Sequence, residues 1–240
     1  MATERKVAVI TGASQGIGAS LVEGFRGIGY GVVANSRAIS KAHDLRDPDI
    51  VAVDGDIADL QTAERIIDAA IERFGRVDTL VNNAGVFIAK PFLDYSEADF
   101  AAMTAVNLAG FFHMSQKAIP AMLLVGSGHV INVTATIAEQ PMVSLPTSLA
   151  TMTKGGLNAV TRALAVEYAS RKIRVNAVSP GVIRTPMHPP TIHEFLAGLA
   201  PVNRMGEPKD IVDAVLYLER AAFVTGEILH VDGGASAGRW

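Results

Sequence analysis

The stretch Lys6-Val7-Ala8-Val9-Ile10-Thr11-Gly12-Ala13-Ser14-Gln15-Gly16-Ile17-Gly18 decides the fold. Its first half, Lys6–Thr11, is short, rich in β-branched residues and apolar on both faces, as a strand buried in a parallel sheet must be. Its second half spaces three glycines as GxxxGxG and opens an amphipathic segment, Gly16–Gly27. Gly12 permits a sharp exit from the strand, while Gly16 and Gly18 let the backbone approach a pyrophosphate and pack the helix on the sheet. Free N–H groups and the helix dipole at that end favour phosphate. Strand, glycine turn and helix in this order predict a dinucleotide site over Gly12, Ser14, Gln15, Gly16, Ile17 and Gly18. The plain alternative is a turn without a ligand.

The same alternation continues outward. Strand-like runs recur at Gly31–Asn35, Ile50–Val53, Thr79–Asn82, His129–Val133, Arg174–Val178 and Glu227–Val231. Between them lie helix-like stretches at Asp59–Phe74, Ala105–Leu124, Ser148–Ala169 and Pro208–Leu218. Strands alternating with helices predict βαβ units, hence an α/β Rossmann fold: a doubly wound parallel sheet of seven strands flanked by helices. No composition shift divides the chain, so residues 1–240 read as a single domain. The least regular segment, 185–201, holds four prolines around a helical piece, Ile192–Leu199. It reads either as a substrate lid or as a packed surface loop.

Composition narrows the function. A chain of 240 residues buries roughly 70% of its unfolded surface and needs no disulfide or structural metal. It has no cysteine, which excludes thiolate zinc sites and a cysteine nucleophile. The net charge is −3 without a long basic run, so nucleic acid is a poor partner. No apolar stretch approaches the length of about 20 residues that spans a membrane. Nor does an apolar leader with a cleavage site follow Met1–Lys6. These features predict a soluble cytoplasmic protein, and no metal is expected.

Further motifs stand at strand ends. Asn82-Asn83-Ala84-Gly85 closes the fourth strand, and small and amide residues there suit a ligand edge. Asn107 lies within an apolar helical stretch, where a buried amide needs partners. Lys154 sits early in Ser148–Ala169, and Ser179-Pro180-Gly181-Val182-Ile183 follows the sixth strand.

Taken together, these motifs resemble the short-chain dehydrogenase/reductase family over nearly the whole chain. The pairing of Thr-Gly-x-x-x-Gly-x-Gly with Asn-Asn-Ala-Gly at this separation carries the resemblance. It implies hydride transfer between a nicotinamide ring and a carbonyl or alcohol carbon of a small-molecule substrate. It further implies that Asn83, Ala84 and Gly85 support the adenine side and that Asp56 and Ile57 touch adenine. Pro180, Gly181 and Ile183 would lie beside the nicotinamide, with Thr185 reaching the cofactor amide. Lys154 matches the lysine that binds the ribose, and Asn107 the relay asparagine. A homotetramer or homodimer is implied, built on the two long helices and on Gly226–Trp240.

In that family a tyrosine four residues before the lysine transfers the proton. Here that position holds Ala150, in Leu149-Ala150-Thr151-Met152-Thr153-Lys154. The strand alignment puts Ala135 at the family's serine, with Thr134 or Thr136 as the alternative hydroxyl. Ser148 reads as the helix N-cap. Glu139 reads either as a replacement acid or as a solvated loop charge, and His188 in the lid as a substrate contact or a surface histidine. Tyr30, Tyr95, Tyr168 and Tyr217 occupy positions where the family keeps no catalytic group. Two functions remain open: an oxidoreductase with an atypical proton source, and a silent cofactor-binding protein acting as a sensor or oligomer partner. NAD-specific relatives place an acid at the end of the second strand, where it binds the ribose hydroxyls. No Asp or Glu occurs between Gly31 and His43. Ser36 and Arg37 there offer a hydroxyl and a planar donor fork suited to a 2′-phosphate. NADP(H) is therefore the expected cofactor, with NAD(H) as the lesser one.

Overall fold

A computed structural model describes residues 5–41 and 47–238. Trp240, expected at an interface, lies outside the described residues. Seven strands form one sheet in the order β3-β2-β1-β4-β5-β6-β7. They are β1 (Val7–Thr11), β2 (Gly31–Ser36), β3 (Ile50–Asp54), β4 (Thr79–Asn82), β5 (Gly128–Val133), β6 (Ile173–Pro180) and β7 (Ile228–Val231). All neighbours pair in parallel. The order reverses between β1 and β4, and such a switch point opens a crevice at the strands' carboxyl ends.

Helices α1 (Gly16–Gly27) and α7 (Pro208–Arg220) share one face of the sheet, their cluster including Leu21, Phe25, Ile10, Ile131, Ile211 and Val215. On the other face α2 (Leu60–Phe74) and α4 (Phe111–Val125) contribute Ile66, Ala70, Met114 and Met122, packed with Val9, Leu80 and Val130. The long helix α5 (Ser148–Tyr168) adds Ala165 to that layer. Successive strand residues feed opposite clusters, the period-two rule for a sheet covered on both sides. Across the second layer, Asn82 Nδ2 donates to Asn132 Oδ1 at 3.0 Å and to Ser115 Oγ at 3.2 Å. Asn132 Nδ2 donates to Thr161 Oγ1 at 2.8 Å. These buried amides tie β4 and β5 to α4 and α5, and each hydrogen bond contributes about 1 kcal/mol once desolvation is offset.

Two helix starts differ from the sequence reading. The stretch expected at Ala105–Leu124 begins earlier, as α3 (Glu97–Thr104), and passes through a π turn at Ala105–Gly110 into α4. The start at Glu97 is fixed by a capping box: Ser96 Oγ accepts from Asp99 N, and the Asp99 carboxylate accepts from Ser96 N. Nor is Ser148 the N-cap of α5. It is already helical, and the cap position belongs to Thr147, whose side chain makes no capping bond. The irregular segment contains a 3-10 turn, Pro190–Ile192, and a short helix α6 (His193–Ala197). Side-chain bonds hold it: His188 Nδ1 to Ile183 O, His193 Nε2 to His188 O, and Arg184 to both His193 Nδ1 and Glu207.

Candidate active site

The glycine turn is built against the end of β4. A Cβ on Gly18 would lie 2.2 Å from Gly12 O, and one on Gly12 2.8 Å from Ala84 Cα. Gly12 and Gly16 also have φ of +66° and +55°, a region that residues with a Cβ avoid. Thr11 Oγ1 accepts from Asn83 N and Ala84 N, while Asn83 Nδ2 donates back to Thr11 O at 2.9 Å and to Gly12 O at 3.2 Å. The two glycine-bearing motifs therefore form one clamp, and Thr11, to which the sequence reading gave no role, is its pin. Gln15, at the N-cap of α1, makes no side-chain capping bond, so its side chain leaves the first-turn N–H groups of α1 uncapped. Ser14 and Ile17 are half-buried on the same turn. From the far end of the chain, Thr185 comes over Gly16, its Cγ2 being 3.1 Å from a Cβ placed there.

Around this clamp the remaining cofactor candidates take separate places. Asp56 Oδ1 accepts from Ala58 N at 2.9 Å, and buried Ile57 packs against Gly110 in the π turn. Gly181 N bonds Val231 O at 3.0 Å, and a Cβ on it would meet Asp232 Cα. Pro180 ends β6, and Ile183 bridges to Gly206. Ser36 ends β2, and Arg37 is exposed beside it. The sequence reading found no acid near Arg37 along the chain. The sheet brings one from β3: Asp54 stands in register with Ser36, its carboxylate accepting from Ser40 N and Ser40 Oγ.

Asn107 and Lys154 meet at Gly85. A Cβ on Gly85 would lie 3.2 Å from Lys154 Nζ and 3.4 Å from Asn107 Oδ1. Asn107 Oδ1 accepts from Val86 N at 2.9 Å, and its Nδ2 donates to Val86 O at 3.0 Å and Thr153 Oγ1 at 3.2 Å. The π turn rotates this amide onto the loop after β4, a common use of such turns at functional sites. Lys154 Nζ donates to Val133 O at 2.8 Å, and burial lowers its ammonium to about 8.

Ala150 lies one helical turn before Lys154 and is fully buried. With Met103, Ile137 and Leu149 it forms a small apolar cluster, against which Ala135, Tyr95, Val86, Ile88 and Met142 pack. The threonines flanking Ala135 are committed elsewhere. Thr134 Oγ1 donates to Val178 O at 3.2 Å, and Thr136 Oγ1 to Ser179 O at 3.4 Å and Asp232 Oδ2 at 3.1 Å. The structure thus joins Ala135 to Ala150 and turns Thr134 and Thr136 toward β6 and the C-terminal turn. Glu139, read as a solvated charge or an acid, is exposed and also networked: it accepts from Asn158 Nδ2 at 3.0 Å and pairs with His230 Nε2 at 2.8 Å. Tyr95 donates its hydroxyl to Ile88 O, and Tyr30 to Glu219, while Tyr168 lies under Arg171. Among the described residues no group of three or more His, Cys, Asp or Glu could hold a metal ion.

A reversing parallel sheet, a glycine clamp at its switch point and a lysine–asparagine pair beside it define a nucleotide-dependent oxidoreductase site. The chain belongs to the short-chain dehydrogenase/reductases: residues 12–236 match the family model described as enoyl-(acyl carrier protein) reductase. It is 35% identical to the 7α-hydroxysteroid dehydrogenase of Escherichia coli, over 95% of this chain and 93% of the relative. It is 31% identical to the 3-oxoacyl-[acyl-carrier-protein] reductase of Thermotoga maritima, over 98% and 99% respectively. Among solved structures, the 3-ketoacyl-(acyl-carrier-protein) reductase of Brucella melitensis complexed with NADH superposes with a TM-score of 0.90 at 33% identity, covering 97% of this chain and 99% of that one. ElxO with NADP bound gives 0.91 at 27% identity, over 98% and 100%. Among the described residues no helix is long and apolar enough to cross a membrane.

Proposed function

We propose that the protein is an NADP(H)-preferring oxidoreductase that moves a hydride to or from a small organic carbonyl or alcohol, with a proton source other than tyrosine. One observation supports this reading: Asn107 and Lys154 converge on Gly85, beside a clamp in which Gly12 and Gly18 admit no Cβ, as a backbone that approaches a pyrophosphate requires. The clamp's free first-turn N–H groups would bind the phosphates, and Lys154 the nicotinamide-side ribose. A bound nicotinamide supplies the hydride chemistry. Lys154 and Asn107 would then hold and orient what faces it. Asp56 and Ile57 would border the adenine, and Pro180, Gly181, Ile183 and Thr185 the nicotinamide end. Counting back one turn from Lys154 puts Ala150 where the family's tyrosine stands, and its methyl group transfers no proton. Ala135 takes the place of the serine, because the hydroxyls of Thr134 and Thr136 are engaged by Val178, Ser179 and Asp232.

The segment 185–201 would act as the lid, with Met187 and Phe195 exposed on it as apolar contacts for substrate. Exposed Phe112, Met152 and Val166 on α4 and α5 support a homodimer or homotetramer through those helices. A cytoplasmic setting fits a chain without cysteine.

NADP(H) preference rests on Ser36 and Arg37. A charge-assisted hydrogen bond to a 2′-phosphate is worth about 1.5–3 kcal/mol, or about 10- to 150-fold. Asp54, one strand over, places the expected ratio at the lower end. Calorimetric titration of NADP+ and NAD+ at fixed salt tests this. NADP+ binds more tightly to the parent, and Arg37→Asp inverts the order. Equal affinities, or tighter NAD+ in the parent, refute the assignment.

A further inference from the structure

The polar groups around Ala150 are almost all committed to partners within the fold. Asn107 spends its oxygen on Val86 N and its amide hydrogens on Val86 O and Thr153. Thr134 and Thr136 donate to β6 and Asp232. Glu139 is bound between Asn158 and His230. Thr151 Oγ1 donates to Ile137 O, and Thr153 Oγ1 to the helix backbone. Tyr95, whose ring packs on the same apolar cluster, gives its proton to Ile88 O at 2.9 Å. Lys154 is different. An ammonium carries three donor hydrogens, and the structure assigns one of them, to Val133 O. The group lies against Gly85, which presents no side chain of its own to it. It also follows Ala150 by one turn on the same helix face, and Ala150 in turn packs with Ala135 and Tyr95.

We propose that Lys154 itself is the proton donor to a substrate carbonyl oxygen, acting directly where relatives interpose a phenol. This rests on the reading of the chain as an NADP(H)-dependent reductase. In the step, the carbonyl carbon accepts the hydride of a reduced nicotinamide and the C=O π bond opens. The oxygen takes a proton from Nζ, leaving an alcohol and a neutral amine, and the amine regains its proton from water. The donor is suited to the task, because an acid that titrates close to neutral pH is populated in its protonated form and still releases the proton readily. Burial gives Lys154 that property. Ala135, Ala150 and Met142 carry no donor, and the Tyr95 hydroxyl is given to Ile88 O, so substrates should be activated carbonyl compounds, such as diketones and α-keto esters, whose reduction asks least of the acid.

Two measurements test this, the first independent of turnover. The ε-carbon resonance of Lys154 is followed against pH in ¹³C-lysine-labelled protein, with and without NADP+, and assigned by its loss in Lys154→Arg. Titration near 8 is expected; a lysine that titrates above 10 overturns the proposal. The second is the pH profile of NADPH-driven reduction of 2,3-butanedione and ethyl pyruvate. The acid form is required, so the parent's kcat falls as pH rises through about 8. In Lys154→Arg the guanidinium does not titrate, so the falling limb disappears and the rate drops by about 10²–10⁴-fold, while NADPH binding is read separately by calorimetry. Tyr95→Phe should keep the limb in place. A limb unchanged in Lys154→Arg, or one abolished by Tyr95→Phe, refutes Lys154 as donor. A parent that binds NADPH but turns over no carbonyl compound refutes the reductase reading itself.

Discussion

Replacing Asn107 by alanine separates a structural from a purely chemical role for this amide. Three hydrogen bonds, at 2.9, 3.0 and 3.2 Å, join it to both backbone groups of Val86 and to Thr153. Asn107 is 2% exposed, so water does not replace the lost partners at its own position. Val86 is half-buried, and water reaches its backbone in part. A lost hydrogen bond costs about 1 kcal/mol, and a buried group left unpaired about 1–3 kcal/mol, so Asn107→Ala should destabilise by about 2–4 kcal/mol after allowing for the access at Val86. For a chain of this size each kcal/mol moves Tm by about 2–4 °C, so a fall of about 4–16 °C is expected in a thermal melt. Loosening Val86 frees the Asn83–Gly85 loop, so NADP+ affinity should fall as well. Asn107→Asp should fare as badly, because its second carboxylate oxygen faces Val86 O instead of donating to it. A fall in Tm below about 2 °C with unchanged NADP+ binding would show that the amide does not hold this loop.

Three further outcomes are expected. Gly18→Ala sets a Cβ against Gly12 O, and calorimetry should find NADP+ binding lost; binding equal to the parent's would place the cofactor elsewhere. Ala150→Tyr puts a phenol one turn from Lys154 and should raise ketone reduction by about 10²-fold or more, while overpacking the cluster by about 1–3 kcal/mol. A variant that folds and binds NADPH without gaining turnover would show that a phenol one turn before Lys154 is not enough while Ala135 stands at the serine position. Burial pushes the His129 imidazole below its ordinary 6.5 despite the opposing pull of Glu219. The unfolded chain then binds the extra proton, so this contribution is complete above pH 6.5 and is lost as pH falls below it. Urea midpoints measured from pH 7.5 to 5 should decline, and less steeply in His129→Asn; equal slopes would show that His129 is not the titrating group.

How much was legible in the sequence depends on how far apart the interacting residues lie. The alternation of β-branched runs with amphipathic segments predicted the sheet and its two helical layers, because strand and helix periods are local properties of the chain. Part of the glycine clamp was legible too, since Gly12 and Gly16 need positive φ whatever surrounds them, whereas Gly18 needs a bare Cα because Gly12 O and Asn83 Nδ2 press on it. Lys154 and Ala150 were fixed relative to each other by one helical turn. What the chain order concealed came from pairing across strands and layers. Asp54 reaches Ser36 only because β3 pairs in register with β2. Asn107 reaches Val86 only because a π turn rotates it there, and no local propensity announces such a turn. The hydroxyls of Thr134 and Thr136 stood as candidates beside Ala135. Tertiary contact with β6 and Asp232, a residue almost 100 positions later, gave them acceptors that the chain order does not announce. Sequence alone determined the elements and the backbone-limited clamp, because those depend on φ, ψ and period. Which side chains share the space beside Ala150 was decided by tertiary structure, because a hydrogen bond acts over about 3 Å and is indifferent to distance along the chain.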